Sequence, residues 1–212
     1  MSPLRKSEVD EVDGVGPDGP GRDQTLPDRL AGLVDGDPDR RRRAVLALSD
    51  EPAALPHLIA RVGLEPDLAV REALSAHLAG HDDPAVVDGL AGLLASDDAG
   101  LRIAVAGVLQ QTRTATQARV PGWLADPDRD VRLLVVMVLA GLRSPQVEGW
   151  LTDLVEHDPD PNVTAAAIDE LAGLVRAPCR AALRSARARF PDDPFIDFVV
   201  TRAMAAPDRE RR

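Results

Sequence analysis

Four histidines, one cysteine and a surplus of carboxylates are the side chains from which this chain of 212 residues could build a reactive site. His77 and His81 stand one helical turn apart and are followed directly by Asp82 and Asp83, a spacing that offers a metal two or three ligands. Yet His77 falls in register with Val108 and Val138 on an apolar face, which reads as a packed, hydrogen-bonded imidazole, and His81 falls in the turn that follows. Two neighbouring ligands without a convergent third rarely hold an ion, so no metal site is expected. Cys179 has no histidine near it in sequence and no serine sits in a G-x-S-x-G elbow, so Cys179 is expected to be a small packing residue. The stretch "GVGPDG" places Gly14, Gly16 and Gly19 in a G-x-G-x-x-G pattern. A dinucleotide loop needs a strand before it and a helix after it, whereas here an acidic coil precedes and Pro-Gly follows. Most remaining carboxylates sit in turn positions, where helix capping explains them. Neither a catalytic residue nor a cofactor is expected.

The elements that would have to position such groups are written as a repeat. "DPDRRRRAVLAL", "EPDLAVREALSAHL", "SDDAGLRIAVAGVL", "DPDRDVRLLVVMVL" and "DPDPNVTAAAIDEL" are variants of one phrase. Aligned on Arg43, Arg71, Arg102, Arg132 and Thr164, they recur at intervals of 28, 31, 30 and 32 residues, the near-constant period of a solenoid. Six positions earlier stand Asp37, Glu65, Ser96, Asp126 and Asp158. Apolar columns such as Val70, Leu74 and Leu78 fall at i, i+4 and i+8, one face of a helix. Each copy predicts a short first helix, as over 84–94 or 145–155, and a longer second one, as over 68–79 or 130–142. A divergent sixth pair is expected over 178–190 and 194–204. The phrase recurs because a helix pair cannot bury its apolar face alone, and stacking buries it. Residues 25–206 are thus expected to form the solenoid, flanked by a disordered acidic tail over 1–24 and a charged tail over 207–212.

Two-helix units with D-x-x-x-x-x-R between and into the second helix resemble HEAT repeats. The period near 30 resembles the short bacterial subtype also seen in phycobilin lyases, and the resemblance covers roughly residues 25–206. It implies a right-handed α-α superhelix of five to six helix pairs. It also implies that Asp37, Arg43, Glu65, Arg71, Arg102, Asp126 and Arg132 form a structural ladder of hydrogen bonds between successive repeats, strengthened by charge. Thr164 and Ser96 depart from the ladder pattern. Relatives that bind iron through His-Glu pairs have no counterpart here, since the chain contains no His-Glu dipeptide.

Composition narrows the function. Hydrophobic residues make up 44% of the chain but aromatics only 2%, so the interior must be Ala, Leu and Val, which suits closely packed helices. A net charge of −10 argues against a protein gripping a phosphate backbone, and makes nucleic acid an unlikely partner. A single cysteine, no apolar leader segment and no long apolar run point to a cytoplasmic protein without a membrane span. Two surfaces stand out as interaction candidates. Arg176, Arg180, Arg184 and Arg187 form a stripe on one helix, either a solvated face or a basic docking strip. On the second helices, Ile103, Leu133, Val136, Met137 and Ile168 make the presumed concave face unusually apolar. Curvature covers that face, or it awaits a partner. The sequence therefore predicts a non-catalytic adaptor, scaffold or assembly factor holding a protein segment, peptide or helix, in its groove. A lyase- or glycosylase-like activity, nucleic-acid binding through the arginine stripe, and a homodimer closing over the patch stand as alternatives.

Overall fold

A computed structural model describes residues 25–174 and 179–205. The expected tails over 1–24 and 207–212, the glycines at 14, 16 and 19, and Arg176 lie outside the described residues. Those described form twelve α-helices and no strand. They are α1 (Leu26–Ala31), α2 (Pro38–Ala47), α3 (Leu55–Val62), α4 (Leu68–Ala79), α5 (Pro84–Ala91), α6 (Ala99–Gln111), α7 (Arg113–Leu124), α8 (Arg129–Gly141), α9 (Val147–His157), α10 (Pro161–Leu174), α11 (Cys179–Arg189) and α12 (Pro194–Ala205). They pair in order into six units. The even-numbered second helices pack side by side from α2 to α12, while α3, α5 and α7 stack in a parallel layer that resumes with α9 on α11. The chain is an all-α solenoid.

Local chemistry explains why each second helix starts where it does. Asp67, Asp98, Asp160 and Asp193 are caps whose carboxylates accept the amide three residues on, at 3.0–3.2 Å. Asp37 and Asp128 do the same two residues on, at 3.0 and 2.8 Å. Two residues before each of the first five caps, Asp35, Glu65, Ser96, Asp126 or Asp158 accepts the cap's own amide at 2.8–3.2 Å. The Asp-Pro-Asp turn is therefore a nested pair of side-chain caps, which satisfies the donors a helix start leaves free.

Behind the caps lies one core of Leu, Val, Ala and Ile, with Leu58, Leu74, Leu90, Leu109, Leu139, Leu151, Ile168 and Leu171 fully buried. The aromatics stay at its margin: Trp123, Trp150 and Phe190 are partly buried and Phe195 and Phe198 are exposed.

The ladder exists, with one correction of register. The first repeat contributes Arg41, which is buried, and not Arg43, which is exposed. Arg41 donates to the carbonyls of Asp35 and Gly36 at 2.8 and 3.2 Å and grips Glu65 of the next repeat through two bonds of 2.7 and 2.9 Å. Asp37 is a helix cap and the turn acid is Asp35. Arg71, Arg102 and Arg132 each reach back to the carbonyl six residues before them, at 2.9, 2.6 and 2.8 Å. Arg132 also grips Asp158 of the next repeat at 2.7 and 3.1 Å, and Arg71, facing Ser96 where a carboxylate would stand, turns to Asp98 at 3.0 Å. Thr164 extends only a hydroxyl to the Asp158 carbonyl, at 3.3 Å, and the sixth repeat makes good the deficit. Arg189 donates to that same carbonyl, and to the carbonyl of Val155 at 2.8 Å.

Candidate functional site: the outer face of the second helices

Side-by-side packing of the second helices sends three stripes into the core and seams and leaves one outward. Counting from the ladder position, the outward stripe holds the first residue after it (Arg42, Glu72, Ile103, Leu133) and the fifth (Leu46, Ala76, Gly107, Met137, Asp169). Ile103 is 61% exposed, Leu133 38% and Met137 36%. In α12, Phe198 is 57% exposed, and the guanidinium of Arg202 lies 5.8 Å from its ring centre while pairing with Asp169 of α10. The face is thus charged on α2, apolar across α6 and α8, and aromatic on α12.

Two residues expected on this face are elsewhere. Val136 is 2% exposed and Ile168 is fully buried. They hold the fourth position after the ladder residue, which points into the seam between successive second helices, as Val45 and Ala106 do. The nearly continuous hydrophobicity of α8 follows, because neighbours cover it on three sides and, of its large apolar side chains, only Leu133 and Met137 are exposed. A neighbouring helix, and not superhelical curvature, covers the rest.

The arginine stripe is largely committed to structure. Arg187 donates to the Thr201 hydroxyl at 2.6 Å and pairs with Asp197 at 2.9 Å, while Arg180 donates to the Met204 carbonyl at 3.4 Å. These bonds lash α11 to α12. Arg184 is exposed, and Arg176 lies outside the described residues.

The histidine group also resolves into structural roles. His77 is half-buried and burial lowers its pKa, with the neighbouring His81 adding to the effect. His81 faces the His77 carbonyl at 3.0 Å, with the two rings 4.5 Å apart. Asp83 caps α5 at 2.7 Å. Asp82 caps α7 of the following repeat, accepting the Thr114 and Ala115 amides at 3.0 and 2.9 Å. Burial pushes the Asp82 carboxyl up, but those amides outweigh it and the net shift is downward. Among the described residues, no three His, Cys, Asp or Glu side chains are grouped to hold a metal ion. The side chain of Cys179 lies outside the described set.

The family model for HEAT repeats matches residues 116–206. The matched segment runs from within α7 to the end of α12, and the helix pairs before it repeat the same caps and ladder. No curated protein matches the chain. Among solved structures, the crystal structure of an engineered protein is 18% identical, with 83% of this chain and 93% of that one covered at a TM-score of 0.37.

Within the matched segment, a cavity of about 510 Å³ opens where the chain passes from α8 to α9. Leu139, Leu142, Val147 and Leu151 form its floor, and Ser144, Glu148 and Glu170 line it with polar groups. Burial, with a smaller contribution from the adjacent Asp169, raises the pKa of Glu170. Sequence alone did not single out this cavity, because its walls come from two repeats and from a loop outside the repeating phrase. No described helix is long and apolar enough to cross a membrane.

Proposed function

We propose that the protein is a non-catalytic scaffold that holds a segment of a protein partner on the outer face of its second helices. The observation that carries this reading is the exposure of Ile103, Leu133 and Met137 side by side on the outward stripe of the adjacent helices α6 and α8. Repeats stacked side by side present an extended surface, and HEAT repeats commonly serve as protein-interaction scaffolds. A methionine adapts its shape to varied apolar partners. A segment in helical or extended form would set apolar side chains on the three residues, and the charged ends of the face would set its direction.

The test is capture of partners from the native cell by the full chain, compared with Met137→Glu and Leu133→Glu. Leu64→Glu serves as the control, because Leu64 is 71% exposed but lies in the α3–α4 turn, off this face. Residues central to an interface cost about 2 kcal/mol or more when lost, roughly a thirtyfold weakening. The expected outcome is loss of capture in the two face variants, with helicity unchanged, and retention in the control. Equal capture by all three overturns the reading. A shift from dimer to monomer in light scattering on Met137→Glu would instead make the occupant a second copy.

A further inference from the structure

Most of the described arginines are ion-paired or hydrogen-bonded to a carbonyl. Arg29 meets Glu51 at 3.2 Å, Arg119 meets Asp88 at 2.6 Å and Arg129 meets Asp160 at 3.2 Å, and the ladder arginines are engaged as described. The outer surface of α2 differs. Arg40, Arg42 and Arg43 are all exposed there, and Arg40 reaches Asp35 and Asp37 only at 3.6 and 3.8 Å. Among the described residues, Arg42 and Arg43 make no ion pair. Successive positions of a helix turn by about 100°. Arg42, Leu46, Arg43, Ala47 and Arg40 therefore share one continuous arc, with Asp39 its only acid. Leu46 on that arc is more than half exposed. The result is a basic, partly apolar strip at the first-repeat end of the outer face.

The 24 residues ahead of Thr25 hold the complement to that strip. "SEVDEVDGVG" places Glu8, Asp10, Glu11 and Asp13 within six residues, without a base among them, and interleaves Val9, Val12 and Val15. Eleven residues, including four glycines and two prolines, separate Asp13 from Thr25. At about 3.3 Å per residue they span on the order of 35 Å, more than twice the roughly 15 Å length of a ten-residue helix. Thr25 caps α1, which packs against α2 and reaches the Ala47 carbonyl through Arg29, so the segment starts one helix away from the strip.

We propose that residues 8–15 of the chain dock in cis on α2, with the four carboxylates against Arg40, Arg42 and Arg43 and the valines against Leu46. The segment then occupies α2 alone and leaves Ile103, Leu133 and Met137 open. This contact is independent of the partner reading above: either can hold while the other fails. The surface is specified as one that accepts an acidic segment with valine-like residues between its charges.

The experiment uses the full chain with Cys179→Ala and a nitroxide on Ser7→Cys, read by paramagnetic broadening of backbone amide signals. The expected result is loss of signal confined to α2, chiefly Arg40–Ala47. It should be abolished in Arg42→Gln/Arg43→Gln and in Glu8→Gln/Asp10→Asn/Glu11→Gln/Asp13→Asn. Broadening should also fade at about 1 M salt, where the screening length falls to about 3 Å. Weak, uniform broadening over all surfaces overturns the proposal, as does broadening centred on any other helix. Mixing spin-labelled, isotopically silent protein with unlabelled ¹⁵N protein separates the remaining case: broadening between molecules means that the segment reaches another copy, and the cis contact is wrong.

Discussion

Arg41 and Arg43 stand in the same run of four arginines, yet one is sealed between two repeats and the other is solvated. Arg41 is the main cation facing Glu65, which is almost fully buried, with Arg61 adding a second pairing at 2.8 Å. Stranding a buried charge costs about 3–5 kcal/mol, and loss of Arg41 leaves Glu65 with Arg61 alone, toward the lower end of that range. Arg41→Ala should therefore lower the urea midpoint sharply, while Arg43→Ala should stay within about 0.5 kcal/mol of the parent. The same site sets an acid limit. Burial alone would raise the Glu65 pKa, but bonds from Arg41, the Asp67 amide and Arg61 outweigh it and hold the carboxyl at about 2 against an ordinary 4.5. An unfolded chain then binds its proton first as pH falls. The stability from this group is complete above pH 4.5 and drains away as the pH drops toward 2. A shift of that size is worth about 3 kcal/mol. Denaturation followed over that window should be less pH-dependent in Glu65→Gln than in the parent, although the variant starts from lower stability. The register at this site was half legible. Six-residue spacing gave the later ladder members, but four consecutive arginines offered several alignments. The interval of 28 was the sign of the wrong one, since Arg41 makes it 30.

Helices and their partners were legible to within a few residues, because caps and apolar period are written locally. Which stripe of a second helix faces outward was not. Val136 and Met137 are neighbours in sequence, about 100° apart on the helix, and only the lateral placement of α10 decides which one is covered. Close approaches between helices were equally hidden from the sequence. In the first-helix layer, Gly89 of α5 packs so tightly on α3 that a Cβ there would overlap the Ile59 methyl. Ala is intrinsically the better helix former by about 1 kcal/mol, but forcing apart two packed helices costs about 1–3 kcal/mol. Gly89→Ala should accordingly lower the thermal midpoint, against the expectation from propensity, and Ile59→Val combined with it should recover part of the loss.

At the scale of the whole molecule, the solenoid is finished differently at its two ends. Where internal second helices bury Val131 and Val136, α2 shows Arg40 to solvent at its entry edge, and α12 shows Thr201 at the other. Polar outer faces on terminal repeats keep stacked units from presenting a bare core. The ladder is uneven between those ends, with bidentate rungs at Arg41–Glu65 and Arg132–Asp158 and a half-exposed one at Arg71–Asp98. The period alone disclosed that there would be a stack. It could not disclose that the arginines of α11 brace α12, because the groups they bind lie on a helix too divergent to align.

Arg189 has a consequence for anyone rearranging this chain. It supplies, from the sixth helix pair, the guanidinium that the fifth pair lacks at Thr164, so these two units are not interchangeable bricks. A graft, duplication or consensus redesign that moves one without the other would leave the Asp158 carbonyl short of its charged donor, and the pair must travel together.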